Sequence, residues 1–118
     1  MSQPSVSIHP YFKVHLGKMD AARALVPQFI AKTTTEAKCL YYEFTVNGDV
    51  VFCREAYADA EGVLAHLANV GDLLGEMIKV SDVIRLELHG PAAELEKLKA
   101  PLADYKPDWF IFEAGLKK

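Results

Sequence analysis

An α+β fold of ferredoxin-like order, an antiparallel sheet with helices on one face, is what this sequence predicts, on three observations. Val6, Ile8, Phe12, Val14 and Leu16 alternate with Ser7, His9, Tyr11, Lys13 and His15, a period of two that marks a strand with one apolar and one mixed face. Two runs rich in aromatic and β-branched residues, Lys38 to Val46 and Asp49 to Tyr57, flank Asn47-Gly48, a strong hairpin signal because both residues tolerate positive φ. Between the strands lie segments whose apolar residues recur at helical spacing. The resulting order, β-α-β-β-α-β followed by a helix and a short strand, is that of the split βαβ unit with an extension.

Each element has its local reason. Gly17 ends the first strand, and Ala22, Leu25, Val26, Phe29 and Ile30 form the stripe of a helix over about residues 18–35 with Asp20 near its start. Pro27 lies inside that pattern and should kink the helix by removing one hydrogen bond. Asp59 can cap the next helix, whose stripe is Val63, Leu64 and Leu67. Val70, Leu73, Leu74, Met77 and Ile78 continue it as a second segment after a break at Asn69 and Gly71. Val80 to His89 alternates again, with Val80, Asp82, Ile84, Leu86 and Leu88 on one side and Val83, Arg85, Glu87 and His89 on the other. Gly90-Pro91 stops that strand, and Pro91 suits the first turn of a helix striped by Leu95, Leu98 and Leu102. Tyr105 to Asp108 reads as a turn and Trp109 to Phe112 as a last strand.

The 118 residues fit one domain, and 51% hydrophobic with 25% charged residues is ordinary for a chain that buries its own core. A net charge of −3 and the short Lys117-Lys118 pair give no nucleic-acid footprint. No apolar run approaches the roughly 18 to 20 residues of a membrane span. The start, Met1-Ser2-Gln3-Pro4, lacks the pattern of a signal peptide, so a cytoplasmic location is expected. If Asn47-Gly48 is the two-residue turn, Val46 faces Asp49, Cys39 opposes Ala56 and Cys53 opposes Tyr42. The two sulfurs then point to opposite faces, and free thiols are expected. No Cys or His spacing suits a metal, and no cofactor is implied.

In that register Tyr41, Glu43, Val50, Phe52 and Arg54 share one side of the hairpin. Leu40, Tyr42, Phe44, Val51, Cys53, Glu55 and Tyr57 share the other. Both sides carry large apolar groups. A sheet of this kind is most simply covered by helices on one face and a second copy on the other, giving a two-fold homodimer with the last strand as a candidate contact.

Three stretches carry a family likeness: Cys39-Leu40-Tyr41-Tyr42-Glu43-Phe44, Phe52-Cys53-Arg54-Glu55-Ala56-Tyr57, and Ala58-Asp59-Ala60 through Ala65-His66-Leu67. Over about residues 6–90 the chain resembles the antibiotic biosynthesis monooxygenase family of dimeric α/β barrels. The tail from Gly90 is similar to an extension in some uncharacterised members. The resemblance implies a homodimer with a pocket in each subunit. It also implies oxygenation of a small aromatic or quinol by molecular oxygen without flavin, haem or metal. Such chemistry asks the protein for a base, for donors to developing negative charge and for a cavity that excludes water.

The residues that fit those roles each have a plainer reading beside them. His66 would be base or donor at the pocket mouth; otherwise it is a helix-end histidine meeting the last carbonyls. Glu55, on the more apolar side, would be a tuned base or a partner for His66, or else a structural hydrogen-bonding group. Tyr42 and Tyr57 would line an aromatic pocket and bind a phenolic group, or serve as core rings with satisfied hydroxyls. Arg54 would bind an anionic substrate or product, or join Arg85, Glu43 and Glu87 in a solvated or dimer-spanning ion-pair set. Trp109 would form a pocket wall or anchor the dimer interface. A non-catalytic small-molecule-binding or structural dimer on the same fold is the alternative function. A haem-degrading relative would carry an early Asn and a Trp before the functional His; residues 1–20 contain no Asn and the single Trp is at 109.

Overall fold

A computed structural model describes residues 4–118; the reading of Met1-Ser2-Gln3 lies outside the described residues. The chain runs β1 (Val6–Val14), α1 (Met19–Thr33), β2 (Cys39–Asn47), β3 (Val50–Tyr57), α2 (Ala60–Asn69), α3 (Gly71–Val80), β4 (Ser81–Gly90), α4 (Ala92–Lys99), a 3₁₀ turn (Ala103–Tyr105) and β5 (Asp108–Ile111). The sheet order is β2-β3-β1-β4-β5. The first four strands pair antiparallel in ferredoxin-like order, and β5 adds to β4 in parallel, which makes the sheet mixed. The fold is thus the α+β, ferredoxin-like arrangement read from the sequence, with an added edge strand.

The hairpin differs from the expected register by two residues. Asn47 pairs with Val50 and Val46 with Val51, so Gly48 and Asp49 are the turn residues. Gly48 has φ +61°, which suits a turn with glycine at its first central position. A shift of two preserves side-chain faces, so most of the face assignment survives. Leu40 is the exception. The pairing slips between Cys39 and Tyr41, which turns Leu40 outward and brings Cys39 opposite Tyr57 on the helix side. Cys39 and Cys53 therefore share a face, contrary to expectation, yet both remain free thiols. They pair with Tyr57 and Phe44 respectively, well apart along the hairpin.

A second slip lies between β1 and β4. Tyr11 pairs with Arg85 but Phe12 with Val83, which leaves Ile84 as an extra, 54% exposed residue. The expected alternation put Ile84 with Leu86. The bulge instead puts Val83 on the helix side with Leu86. Helix α1 continues through Pro27, which sits on its exposed side. Asp59 caps α2 by accepting from the Gly62 N–H at 2.9 Å. A Cβ at Gly62 would stand 2.9 Å from the Lys38 Cβ and 3.1 Å from that of Tyr57, so α2 packs on the hairpin only with glycine there. Pro91 caps α4 rather than occupying its first turn, its carbonyl accepting from Glu94 and Leu95.

Two apolar clusters fill the space between helices and sheet. One gathers Val6, Ile8, Tyr57, Val63, Leu88, Leu95, Leu98 and Leu102; the other Phe12, Val14, Phe29, Val51, Val70, Leu73 and Met77. The C-terminal extension belongs to the first. Glu94 of α4 accepts from the Ala60 N–H at 2.9 Å, closing the start of α2 from a distance of 34 residues. No helix among the described residues is long and apolar enough to cross a membrane.

Candidate functional site

Between the two apolar clusters runs a cleft of about 670 Å³, its open mouth included. Its walls are Ile8, Pro10 and Phe12 from β1, Phe29 from α1, Tyr42 and Phe44 from β2, Leu67 and Leu74 from α2 and α3, and Leu86 from β4. The exposed lining residues Ile78, Val83 and Tyr105 mark the mouth. The β4 bulge is what aims Val83 there. His66 and Glu55 lie among the lining and are both sealed from water, at 3% and 4% exposure.

These two groups meet. His66 Nε2 stands 3.3 Å from Glu55 Oε1, and the Tyr57 hydroxyl donates to the same oxygen at 2.7 Å. On the other side of the ring, His66 Nδ1 is 2.9 Å from Glu36 Oε2 and 3.1 Å from Oε1. Asn69 donates its amide to Glu36 Oε2 at 2.8 Å and to the Lys32 carbonyl at 2.9 Å. The rings of Tyr42 and Tyr57 lie 5.0 and 5.1 Å from that of His66. The chain thus assembles the network from the α1–β2 connection, β2, β3 and α2.

Burial sets the electrostatics. It pushes the Glu55 carboxyl up to about 8, against the opposing hydrogen bonds from Tyr57 and Cys53, so the group is protonated at neutral pH. Burial also lowers the His66 pKa, outweighing the hydrogen bond and negative charge of Glu36 that raise it. A neutral imidazole beside a neutral carboxylic acid follows. Tyr42, Tyr57 and Cys53 are all raised, first by burial and then by Glu55, and stay protonated. Such a pair can accept a proton at one atom and return one from the other.

The structure brings four of the six sequence-selected residues together: His66, Glu55, Tyr42 and Tyr57. His66 is not at the mouth but deep in the cleft. Tyr57 stands behind Glu55, within the core cluster rather than on the cleft wall. Arg54 and Trp109 lie elsewhere. Arg54 is on the open face of the sheet, 3.9 Å from Glu43, because alternation along β3 turns it away from Glu55. Trp109 pairs with Leu88 and packs on the core cluster around it, so it faces neither the cleft nor the open face. Glu36 is the residue that sequence reasoning missed. It sits in a polar connection, Thr33 to Lys38, with no periodicity to single it out. Among the described residues no group of three or more His, Cys, Asp or Glu side chains is arranged to hold a metal ion.

The open face has its own cluster. His9 stacks on Phe52 at 6.0 Å and meets His89 edge-on at 4.8 Å; His89 stacks on Phe110 at 4.5 Å, and Tyr11 packs on Phe52 at 4.6 Å. Glu87 pairs with Arg85 and His89, and Arg85 reaches Asp108 at 3.8 Å.

Comparison with solved structures finds MupZ from Pseudomonas fluorescens, 40% identical with a TM-score of 0.93 over 98% of this chain and 91% of that one. A conserved protein from Methanosarcina mazei is 15% identical, with a TM-score of 0.70 over 75% of this chain and 94% of its own. An antibiotic biosynthesis monooxygenase is 17% identical, with a TM-score of 0.65 over 70% of this chain and 94% of its own. No protein-family model matches the chain, and no curated protein sequence does.

Proposed function

Because the chain belongs to the family of MupZ and carries the fold of the antibiotic biosynthesis monooxygenases, we propose that it is a cofactor-independent monooxygenase acting on a small aromatic or quinol. The observation that carries the proposal is the His66–Glu55 pair, 3.3 Å apart and sealed within an apolar cleft. This reading places a flat, mostly apolar ring against the apolar walls of the cleft, with its hydroxyl toward His66. Neutral His66 takes the hydroxyl proton at Nε2. The resulting anion passes an electron to molecular oxygen, the co-reactant. The ring C–H para to the hydroxyl becomes a carbonyl, giving a quinone: one atom of O₂ bonds to that carbon, and the other leaves as water with the ring hydrogen and the proton held by His66. Glu55, protonated at neutral pH, donates to the negative charge that develops on oxygen. Tyr42 is a further polar group of the cleft wall, and Tyr57 orients Glu55.

The working unit in this proposal is a homodimer of single-domain subunits joined through the open face. Tyr11, Phe52 and Phe110 give that face an apolar centre, and its charged pairs give it a polar rim. The two free thiols suit a reducing compartment such as the cytoplasm.

One observation favours the other reading, a non-catalytic binding dimer. Among the described residues every buried side-chain polar atom already has a partner. Oxygen uptake with a panel of phenols and quinols decides between the two. The proposal expects uptake that falls by about 10²-fold or more in His66→Ala. Compounds that bind in the cleft without consuming oxygen would leave the binding role as the better account.

A further inference from the structure

We infer that Glu36 is a positioning residue that holds His66 in the Nδ1–H tautomer, so that Nε2 is the basic atom facing Glu55 and the cleft. The inference deepens the proposed reaction and rests on His66 as its base.

A neutral imidazole has one N–H and one lone pair, and its neighbours decide which nitrogen carries which. An ionised carboxylate can only accept. Both oxygens of Glu36 lie within 3.1 Å of Nδ1, so the ring proton belongs there. Nε2 then carries the lone pair, 3.3 Å from Oε1 of Glu55, the carboxyl that burial keeps protonated. The two carboxyl groups are therefore not equivalent. Glu55 lines the cleft, whereas Glu36 stands behind the ring and does not.

Glu36 is itself aimed from two elements. Its N–H donates to the Thr33 carbonyl at 3.0 Å at the end of α1, and Asn69 at the end of α2 holds Oε2. Its side chain is 8% exposed. When Nε2 takes a proton, an imidazolium forms in an apolar seam, where its burial without a counter-charge would be costly. The carboxylate at Nδ1 supplies that charge. The other titratable groups against the ring are Glu55 and Tyr57 from β3 and Tyr42 from β2, and the thiols on the same face of those strands are Cys53 and Cys39; all are protonated at neutral pH. Lys32 of α1 reaches the Asn69 carbonyl, at 3.4 Å.

Two measurements on the full chain test this. The first is ¹⁵N NMR of the histidine rings in the unaltered protein, which needs no variant to fold. It should show His66 protonated at Nδ1 at neutral pH; protonation at Nε2 would overturn the inference. The second uses 4-nitrophenol as a probe whose absorbance distinguishes bound phenol from phenolate. Glu36→Gln should move the bound probe toward neutral phenol by about tenfold or more, because a neighbouring carboxylate shifts such a proton equilibrium by one to three pK units. Glu36→Asp should recover part of the effect. An unchanged ratio in folded Glu36→Gln would reduce Glu36 to a structural group. Failure of any phenol to bind the cleft would count against the oxygenase reading, while the tautomer would still decide the role of Glu36.

Discussion

On the helix side of the sheet His66 is 3% exposed and held between two carboxyl groups; on the open side His89 has 41% of its side chain exposed and meets Glu87 at 2.9 Å. Both histidines have a carboxyl partner and aromatic neighbours, His66 between Tyr42 and Tyr57, His89 between His9 and Phe110. The ingredients match, but their energetics do not. Burial holds the Glu55 carboxyl near 8, whereas Glu87, stabilised first by its hydrogen bond from His89, is lowered. The same residue types thus stay neutral where water is excluded and form an ion-pair set where it is not. Chemistry here follows the side of the sheet rather than the identity of the residue.

The contrast breaks most sharply at His66. His66→Ala empties a buried ring site and takes one donor from the Glu36 carboxyl, and should cost about 3 to 5 kcal/mol of folding stability. Urea unfolding measures it, and a loss below about 1 kcal/mol would place His66 in the same class as surface groups.

Glu55 gives the next effect, with a sign set by its raised pKa. In the unfolded chain it releases its proton near 4.5, in the folded chain only near 8. The folded state holds more protons between those values, so this group's contribution is full below pH 4.5, falls as pH rises and levels off above about pH 8. The whole swing is on the order of 5 kcal/mol. His66, whose pKa is lowered, acts with the opposite slope below pH 6.5. The clean window is therefore pH 6.5 to 8. There, Glu55→Gln should flatten the fall, and at pH 8.5 it should be more stable than the unaltered protein by a few kcal/mol. Parallel pH profiles for the two proteins would remove Glu55 as a buried neutral acid.

On the open face the sharper test is assembly. Phe52→Lys should raise the dimer dissociation constant by about 30-fold or more, the scale of an interface anchor, while leaving the fold intact. Sedimentation at micromolar concentration reads it, and an unaltered protein that is already monomeric would sink the dimer proposal. The smallest effect belongs to Arg54, whose pair with Glu43 is long and exposed. Arg54→Ala should change stability by about 0.5 kcal/mol or less in a thermal melt.

Much of this architecture is legible in local pattern. Period-two alternation marked β1, Asn47-Gly48 marked the hairpin, Asp59 marked the start of α2, and leucine spacing marked α4. Each depends on residues a few positions apart, which a sequence displays directly. His66, Glu55, Tyr42 and Tyr57 were legible as candidates because polar groups stood at positions whose neighbours demanded burial.

The rest was decided by contacts between distant segments. The bulges at Leu40 and Ile84 rotate single residues between faces, and no alternating pattern announces the position of an inserted residue. Arg54 and Trp109 were placed by strand parity and by the pairing of β5 with β4, the second of which depends on a parallel addition that local sequence does not specify. Glu36 lies 30 residues from His66 and 19 positions before Glu55; the fold alone brings both to one ring. Helix and strand segments follow from backbone preference and apolar spacing, which act locally. Which histidine sits in a dry seam between two carboxyl groups follows from packing, because desolvation belongs to the packed whole rather than to any stretch of chain.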